Sequence, residues 1–440
     1  MSPEAAIGRF LTSLKTPARI LVAISGGSDS TGLLLLLSEV LKATPNPRIS
    51  LCAATVDHAL RSGSADEARD VAALCGSLGI PHDTVVWQGE KPKTGIMAAA
   101  REARYGLLAE AAEALGADLI VTGHTADDQR ETLEMQGKRA EQLSTGIADA
   151  VLFDRRFWIL RPLLFSSRAD IRRFLSTRGV RWIDDPSNED MKYERVQTRR
   201  QLSLNMVAET DVDTAAQRRL AYSSSGVKWL DSYFRLHGGL LGQVIPDGLR
   251  QDPAVFDYAL GRLTAVFGGR PFVPGRVQME RLLAFTANGK PGRMTVGRVV
   301  FDLRRDGLYL ARESRGILPL RLQPGETGVW DGRFFVRNGS ATVIHVDAAH
   351  AIDIDIDEGS STRFPKAAWK RATASAPTLS AHNVPLSAEF GRLVEVTPHF
   401  APFDRFLTRF DFTFADRLSA VFSRAPYAEP PLRSIDGKTI

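Results

Sequence analysis

The stretch ILVAISGGSDSTGLLLLL, residues 20–37, contains the signals that decide the fold of this chain. Its first five residues form a short, continuous apolar run, which is typical of a strand buried on both faces of a parallel sheet. The two glycines that follow allow a sharp turn, and the apolar residues after Thr31 favour a helix. The stretch therefore predicts a strand, a tight loop and a helix in direct succession.

Similar apolar runs recur along the first part of the chain, at 49–56, 84–87, 118–122 and 157–160. Apolar residues between them follow helical spacing, as at Val71, Leu74, Cys75 and Leu78 or at Tyr105, Leu108, Ala109 and Ala112. Parallel strands need crossover connections, so this alternation predicts a doubly wound, mostly parallel five-stranded α/β sheet of Rossmann-like type. Ligands of such folds bind beyond the carboxyl ends of the strands.

A length of 440 residues predicts more than one domain. We expect an α/β domain at 1–212, a mostly helical domain at 213–315 and a β-rich domain at 316–440. The last expectation rests partly on AIDIDID at 351–357, which alternates strictly between apolar and acidic residues as a strand with one solvated face does.

The composition, with 44% hydrophobic and 24% charged residues, is that of a folded globular protein. Cys52 and Cys75 are the two cysteines, which excludes a disulfide scaffold, a zinc ribbon and a cysteine-ligated iron–sulfur cluster. The longest apolar run, Leu33 to Leu37, is too short to span a bilayer, and no signal-peptide pattern opens the sequence. We therefore expect a cytoplasmic protein without a membrane segment.

The residues from Ser25 to Ser30 have the character of a phosphate-binding loop. Gly26 and Gly27 let successive backbone N–H groups point into one concavity, and the following helix adds its own free N–H groups and positive dipole end. The hydroxyl groups of the two terminal serines and of Ser28 add further donors. The loop is not a Walker motif, since no GxxxxGK[ST] pattern is present.

Asp29, inside this loop, would repel a bare phosphate and therefore suggests a bound Mg²⁺ between the two. The alternative is an ordinary Gly-Ser turn in which Ser28 or Asp29 caps the helix.

Polar residues also gather where the second and fourth predicted strands end, and on the helix before the fourth strand. They are Asp57, His58 and Arg61; His124, Asp127, Asp128 and Glu131; and Arg101 and Arg104. Each of them alone is compatible with a helix cap or a solvated surface. Together with the loop they predict a site at the carboxyl edge of the sheet.

These residues fall into motifs that resemble a known family. SGGxDS at 25–30 is the signature of the N-type ATP pyrophosphatases. Five further motifs, in order, resemble the tRNA(Ile)-lysidine synthase family: VDHALR at 56–61, AAREARY at 99–105, GHTADDQRET at 123–132, RPLL at 161–164 and DDPSN at 184–188.

The resemblance implies a two-step ligation on the wobble cytidine of tRNA(Ile) with a CAU anticodon. ATP adenylates the C2 oxygen with release of pyrophosphate, and the ε-amine of L-lysine then displaces AMP to leave lysidine. It also implies that residues 1–212 form the catalytic domain and that the domains after it bind tRNA.

The same resemblance assigns roles to individual residues. Catalysis falls to Asp29, Arg101, Arg104 and Asp128, and Mg²⁺ binding to Asp29 and Asp128. ATP binding falls to Ser25, Gly26, Gly27, Ser28, Asp29, Ser30, His58 and His124.

Basic residues concentrate in one segment, Asp154 to Arg200, which holds 12 Lys and Arg against 7 Asp and Glu. This surplus equals the net charge of +5 of the whole chain. One interpretation is that these basic residues contact the phosphate backbone of an RNA near the active-site edge. The other is that they lie on a solvated helix surface. The arginines concerned are Arg155, Arg156, Arg168, Arg172, Arg173, Arg195, Arg199 and Arg200, of which the last three are our tRNA-binding candidates.

The sequence departs from the family pattern in two places. LEMQGKRAEQLSTGIADA at 133–150 replaces an Arg-Gly-rich turn, and the Arg-Asn-x-x-Arg motif becomes Arg195-Val196-Gln197-Thr198-Arg199, without its Asn.

Three properties stay open in the sequence. Glu131, Asp184 and Asp185 are acidic candidates for selecting lysine. The oligomeric state is open, with a homodimer among the alternatives. The competing functions are a related tRNA-modifying enzyme with another nucleophile, such as a thiolase, and a non-catalytic nucleotide-dependent RNA-binding protein.

Overall fold

The apolar run of the quoted stretch forms strand β1 (Ala18–Ala23), in the middle of a mostly parallel sheet. Strands β2 (Ile49–Asp57) and β4 (Leu119–Val121) flank it, and both pair with it in parallel. Ile20, Leu21 and Val22 have no exposed surface, as expected for a strand covered on both faces.

The structure, a computed structural model, describes residues 1–59, 63–92, 94–137, 146–184, 212–349, 364–381, 384–385, 392–435 and 438–439. The chain divides into two compact units, 1–217 with 428–440, and 218–427. The predicted three domains remain a prediction. No described helix is long and apolar enough to cross a membrane.

The first unit is a doubly wound α/β structure, which confirms the predicted fold class. Its remaining helices and strands are α1 (Pro3–Ser13), α2 (Ser28–Ala43), α3 (Ser64–Ser77), β3 (His82–Val86), α4 (Ile96–Ala114), α5 (Ala126–Gly137), β5 (Ala150–Phe153), β6 (Phe157–Leu160) and α6 (Arg168–Thr177). The strands lie in the order β3-β2-β1-β4-β6-β5. Because the order turns outward in both directions from β1 and β4, the loops after these two strands meet at a topological switch point, where such folds bind ligands.

Strand β5 was not among the five strands that the sequence predicts. It runs antiparallel to β6, and the turn between them places Asp154 and Arg155 at positive φ. Four apolar residues followed by charged ones carry too weak a signal for a strand, so β5 depends on its pairing with β6.

The second unit begins within helix α7 (Val212–Tyr233) and combines helices with three sheets. A five-stranded antiparallel sheet has the order β7-β8-β11-β10-β9, and two smaller sheets have the orders β12-β15-β16-β17 and β13-β14-β18. The elements are β7 (Phe234–His237), β8 (Leu241–Val244), a 3₁₀ turn (Pro246–Arg250), α8 (Pro253–Gly268), α9 (Arg276–Ala287), β9 (Gly292–Val296), β10 (Val299–Arg304), β11 (Gly307–Arg312), β12 (Leu320–Leu322), β13 (Thr327–Trp330), β14 (Phe334–Asn338), β15 (Ile344–Ala348), α10 (Lys366–Thr373), β16 (Pro377–Ala381), β17 (Val384–Pro385), β18 (Val394–Pro398), β19 (Phe406–Thr408) and α11 (Arg409–Val421). Strands β20 (Ser434–Ile435) and β21 (Lys438–Thr439) return to the first unit.

Residues 213–315 therefore contain the predicted helices and, in addition, five strands that the sequence analysis did not predict. These strands are four to six residues long, and tight glycine-containing turns join β7 to β8, β9 to β10 and β10 to β11, so they lack an extended period-two signal. The segment AIDIDID at 351–357 lies outside the described residues.

A buried carboxylate, Asp411 on α11, joins three helices of the second unit. It accepts hydrogen bonds from Arg219 on α7 and from Arg262 and Tyr258 on α8, the last two at 2.8 and 2.7 Å. Burial alone would raise the pKa of Asp411, but Arg262 and Arg219 outweigh it and hold the pKa well below its usual range. The cluster therefore stabilises the folded state above the pKa of the unfolded chain, about 4, and loses this contribution as the pH falls towards the folded value.

We expect Asp411→Asn to lower the free energy of unfolding of this unit by about 3 kcal/mol at pH 7, because it removes the negative charge that Asp411 presents to two partly buried guanidinium groups. Urea denaturation of the full chain, followed by hydrogen exchange of residues 409–421, measures it. Asp231→Asn is the matched control, since Asp231 on α7 also pairs with α11, through a half-exposed contact with Arg417, and its loss should cost less than about 1 kcal/mol.

The difference between Asp411→Asn and the parent should also shrink as the pH falls below about 4, because the carboxyl of the unfolded parent binds a proton there while the folded carboxylate stays ionised to a lower pH. Equal losses in the two variants, or a difference that does not change with pH, would contradict the role given to the cluster.

Candidate active site

The loop after β1 has the backbone geometry of an anion-binding turn. Gly26 has φ +82°, a conformation that favours glycine, and a Cβ atom there would also lie 2.5 Å from Cδ1 of Ile183 and displace that side chain. Gly27 caps α2, which begins at Ser28. The N–H groups of the first turn of α2 have no partner within the helix and carry its positive dipole end, which favours a phosphate.

The three serines of this loop have different hydrogen-bonding roles. The N–H of Ser25 donates to Oγ of Ser30 at 3.1 Å, and that hydroxyl donates to the carbonyl of Gly27 at 3.1 Å. These two serines therefore hold the shape of the loop. Ser28 donates its hydroxyl to Asp29 at 3.1 Å and accepts from Nε of Arg172 at 3.3 Å, so it links the loop to helix α6.

Arg168, the first residue of α6, gathers the acidic side chains of the site. Its Nε lies 2.7 Å from Oδ2 of Asp29, its Nη2 lies 3.2 Å from Oδ1 of Asp128, and its Nη1 lies 3.9 Å from Oε1 of Glu131. The backbone N–H of Arg168 donates to Asp127 at 2.8 Å, which locks the first turn of α6 onto α5. Three separate segments of the chain thus meet at one guanidinium group.

The charges of this cluster stabilise one another. Burial lowers the pKa of Arg168, but Asp29 and Asp128 outweigh it, so the pKa lies above its ordinary value and the group stays charged. Burial raises the pKa of the Asp29 carboxyl, and Arg168 opposes that rise. Asp128 is held further by the N–H and the hydroxyl of Thr125, at 2.9 and 3.0 Å.

The donor set fits a cation that is shared with phosphate. Asp29 and Asp128 direct one oxygen each towards the same guanidinium group, so the two carboxylates converge. Mg²⁺ is commonly held by one or two carboxylates together with substrate phosphates. In the described part of the chain no three His, Cys, Asp or Glu side chains form a metal cage.

The loop after β4 lies directly against the phosphate loop. A Cβ atom at Gly123 would lie 2.8 Å from the carbonyl carbon of Asp29, so glycine is required for this close approach. His124 is held by the hydroxyl of Thr122, which lies 2.9 Å from its Nδ1. The structure therefore brings these two predicted site segments together.

His58 and Arg104 form a second group, at the end of β2. Nε and Nη2 of Arg104 each lie 3.5 Å from Nε2 of His58, whose ring meets that of Trp87 edge to face at 5.9 Å. Burial and, after it, the charge of Arg104 lower the pKa of His58 to about 4. The imidazole is therefore neutral at pH 7. Arg101 lies over the ring of Tyr105 at 5.5 Å and makes no described ion pair with Asp29 or Asp128.

Sequence reasoning left Arg168 and Arg172 between an RNA phosphate backbone and a solvated helix surface, whereas the structure directs both to the phosphate loop. The topology could have indicated this. Helix α6 follows β6, whose carboxyl end lies at the same edge of the sheet as the loop. The remaining candidates, Arg61, Asp185, Arg195, Arg199 and Arg200, lie outside the described residues.

Comparison with known proteins extends the similarity to the full chain. A family model described as a PP-loop domain matches residues 2–206. The tRNA(Ile)-lysidine synthase of Rhizobium meliloti (strain 1021) is 42% identical over 97% of this chain and 96% of its own length. The tRNA(Ile)-lysidine synthase of Mesorhizobium japonicum is 38% identical over 93% of each chain.

Among solved structures, the U34-tRNA thiolase NcsA from Methanococcus maripaludis, with its 4Fe-4S cluster, has 16% identity and a TM-score of 0.36. It covers 48% of this chain and 81% of its own.

The two curated relatives match both units, so the similarity is not confined to the phosphate loop that many ATP-using proteins share. The resemblance carried by the six motifs is confirmed. The chain belongs to the tRNA(Ile)-lysidine synthase family, with its PP-loop domain at residues 2–206.

Proposed function

We propose that this chain ligates L-lysine to C2 of the wobble cytidine in the CAU anticodon of tRNA(Ile), using ATP and Mg²⁺ in the cytoplasm. The observation that carries the proposal is the identity of 42% to a tRNA(Ile)-lysidine synthase over almost the entire length of both chains. The cluster of Asp29, Asp128 and Arg168 beside a phosphate loop supplies the matching chemistry.

In the first step, the C2 oxygen of the cytidine attacks the α-phosphorus of ATP. A new oxygen–phosphorus bond forms, and the bond to the β-phosphate breaks to release pyrophosphate. The leaving group gains negative charge, which the N–H groups at the beginning of α2 are positioned to stabilise. Asp29 and Asp128 would hold Mg²⁺, which supplies further neutralisation of the phosphates.

In the second step, the ε-amine of lysine attacks C2. A carbon–nitrogen bond forms, AMP departs with the original C2 oxygen, and the nitrogen loses a proton. The neutral imidazole of His58 and the guanidinium group of Arg104 lie at the end of β2, the strand next to β1. There they would contact the nucleotide. Glu131 and Asp184 are the described candidates for holding the amine of lysine.

The main alternative, transfer of sulfur to tRNA, would need an accessible thiolate. Cys52 and Cys75 are fully buried, and burial raises the pKa of Cys75 to about 11. Such thiols are poor nucleophiles at neutral pH. The described cysteines therefore favour the ligase over a thiolase.

The full chain with ATP, Mg²⁺ and labelled lysine should transfer label to an unmodified tRNA(Ile) transcript and release one AMP and one pyrophosphate for each lysine. A transcript with U in place of the wobble C is the control. It should stay unlabelled, since uracil presents different hydrogen-bonding groups from cytosine at N3 and C4. Normal ATP binding without label in the CAU transcript would refute the proposed function.

Asp128→Asn should lower AMP formation by about 100-fold or more, because an amide removes a negative charge from the centre that Arg168 organises. Binding of tRNA, measured by filter retention, should stay within about twofold. Asp118→Asn, at the opposite end of strand β4, is the control and should leave both quantities unchanged. Parallel loss of AMP formation and tRNA binding would instead mean that Asp128 is needed for folding.

Joint replacement of Arg199 and Arg200 by Gln should weaken tRNA binding and reduce the slope of log K against log salt by about 1 for each phosphate that these side chains neutralise. Arg69→Gln, on helix α3, is the control and should leave the slope unchanged, since Arg69 is exposed and pairs with Asp66. An unaltered slope in the double variant would mean that these arginines do not bind RNA.

A further inference from the structure

Helix α6 directs two arginines at the phosphate loop from successive turns. Arg168 and Arg172 are four residues apart and therefore share a face of the helix. Arg168 binds Asp29 at 2.7 Å, and Arg172 binds the hydroxyl of Ser28 at 3.3 Å. Ser28 and Asp29 are the first two residues of α2, so both guanidinium groups lie beside the turn that offers free N–H groups to a phosphate.

The two arginines differ in how firmly they are held. The side chain of Arg168 is 19% exposed and faces three carboxylates. That of Arg172 is 45% exposed, and its carboxylate partner in the described part of the chain is Asp184, itself 72% exposed, at 3.0 Å. Ion pairs between solvent-exposed side chains contribute little to stability, so Arg172 can exchange this partner at low cost, whereas Arg168 cannot.

Two hydrogen-bond donors converge on the carboxylate of Asp184. Its Oδ1 accepts from Nη2 of Arg172 and from Nε1 of Trp182, at 3.0 and 3.3 Å. The guanidinium group of Arg172 also lies over the ring of Trp182 at 5.6 Å, which restricts its orientation. The neighbouring Ile183 donates its N–H to the carbonyl of Gly26 at 2.9 Å, so this donor pair is tied directly to the phosphate loop.

We propose that Arg172 binds the β- and γ-phosphates of ATP, and then the departing pyrophosphate, by exchanging the carboxylate of Asp184 for phosphate oxygens. This inference rests on the proposed function, since it names a further phosphate-binding residue of the same site. A guanidinium group suits the task because it stays charged and donates two parallel hydrogen bonds to a phosphate. Arg168 keeps its place among the carboxylates and acts as a positioning residue.

Calorimetric titration of the full chain with ATP, AMP and inorganic pyrophosphate, in the presence of Mg²⁺, tests the proposal. In Arg172→Gln the affinities for ATP and pyrophosphate should fall by about 10- to 100-fold, the loss typical of a charged hydrogen bond, while the affinity for AMP should stay within about twofold. Arg172→Lys keeps the charge without the paired donors and should give an intermediate loss.

Arg173→Gln is the matched control, because Arg173 is adjacent on the same helix but exposed and paired with Asp170. In this variant the affinities for ATP, AMP and pyrophosphate should all stay within about twofold of those of the unaltered chain. Thermal unfolding of each variant separates loss of binding from loss of structure.

Two outcomes would overturn the proposal. Unchanged ATP affinity in Arg172→Gln would mean that Arg172 serves its pair with Asp184 alone. Equal losses for ATP and AMP would mean that it supports the loop or the α-phosphate instead. Lysine transfer to tRNA is measured separately with the unaltered chain, so failure of the proposed function would leave the phosphate titrations able to support or refute the role of Arg172.

Discussion

The guanidinium group of Arg168 is the charge on which the site depends. Asp29, Asp128 and Glu131 come from the beginnings of two different helices, α2 and α5, and would repel one another if they were brought together unpaired. The positive group at the beginning of α6 offsets this repulsion and faces all three carboxylates. Convergence of these three helix ends at one edge of the sheet is therefore an electrostatic condition as well as a consequence of topology.

Much of the fold could be predicted from residues that act locally. The apolar run before Ser25, the glycine turn at Gly26 and the helix that begins at Ser28 are each specified by neighbours in sequence, and the structure has all three. Strand β5 could not be predicted because four apolar residues become a strand through their pairing with β6. The five strands within residues 213–315 were missed because each has only four to six residues, and β8 also depends on pairing with β11, which is distant in sequence.

The candidate site also combines features that the local sequence specifies with features that depend on distant residues. Residue types, their places after predicted strands and the family resemblance predicted the phosphate loop, Asp128 and the strand-end histidines. The contact of Arg168 with Asp29 could not be predicted in this way, because it depends on the position of helix α6 after β6. Nor could the role of Ser30 within the loop, where its hydroxyl donates a hydrogen bond to the carbonyl of Gly27. Sequence reasoning also could not predict that the pKa of His58 is lowered to about 4, because that follows from burial and from the position of Arg104.

The structure changes the interpretation of the basic surplus more than that of any other sequence feature. Residues 154–184 hold eight Lys and Arg against three Asp and Glu, so the whole surplus of +5 lies in this described part, while residues 185–200 hold four of each. Three of these eight basic residues pair with acids from other segments: Arg156 with Glu113, Arg168 with Asp29 and Asp128, and Arg178 with Glu39. Much of the charge counted along the sequence is thus offset by acids that are distant in sequence. Any attraction of RNA to residues 185–200 must then come from the clustering of Arg195, Arg199 and Arg200 at one end of a segment with no net charge, because the surplus itself is used to hold the first unit together and to organise its phosphate site.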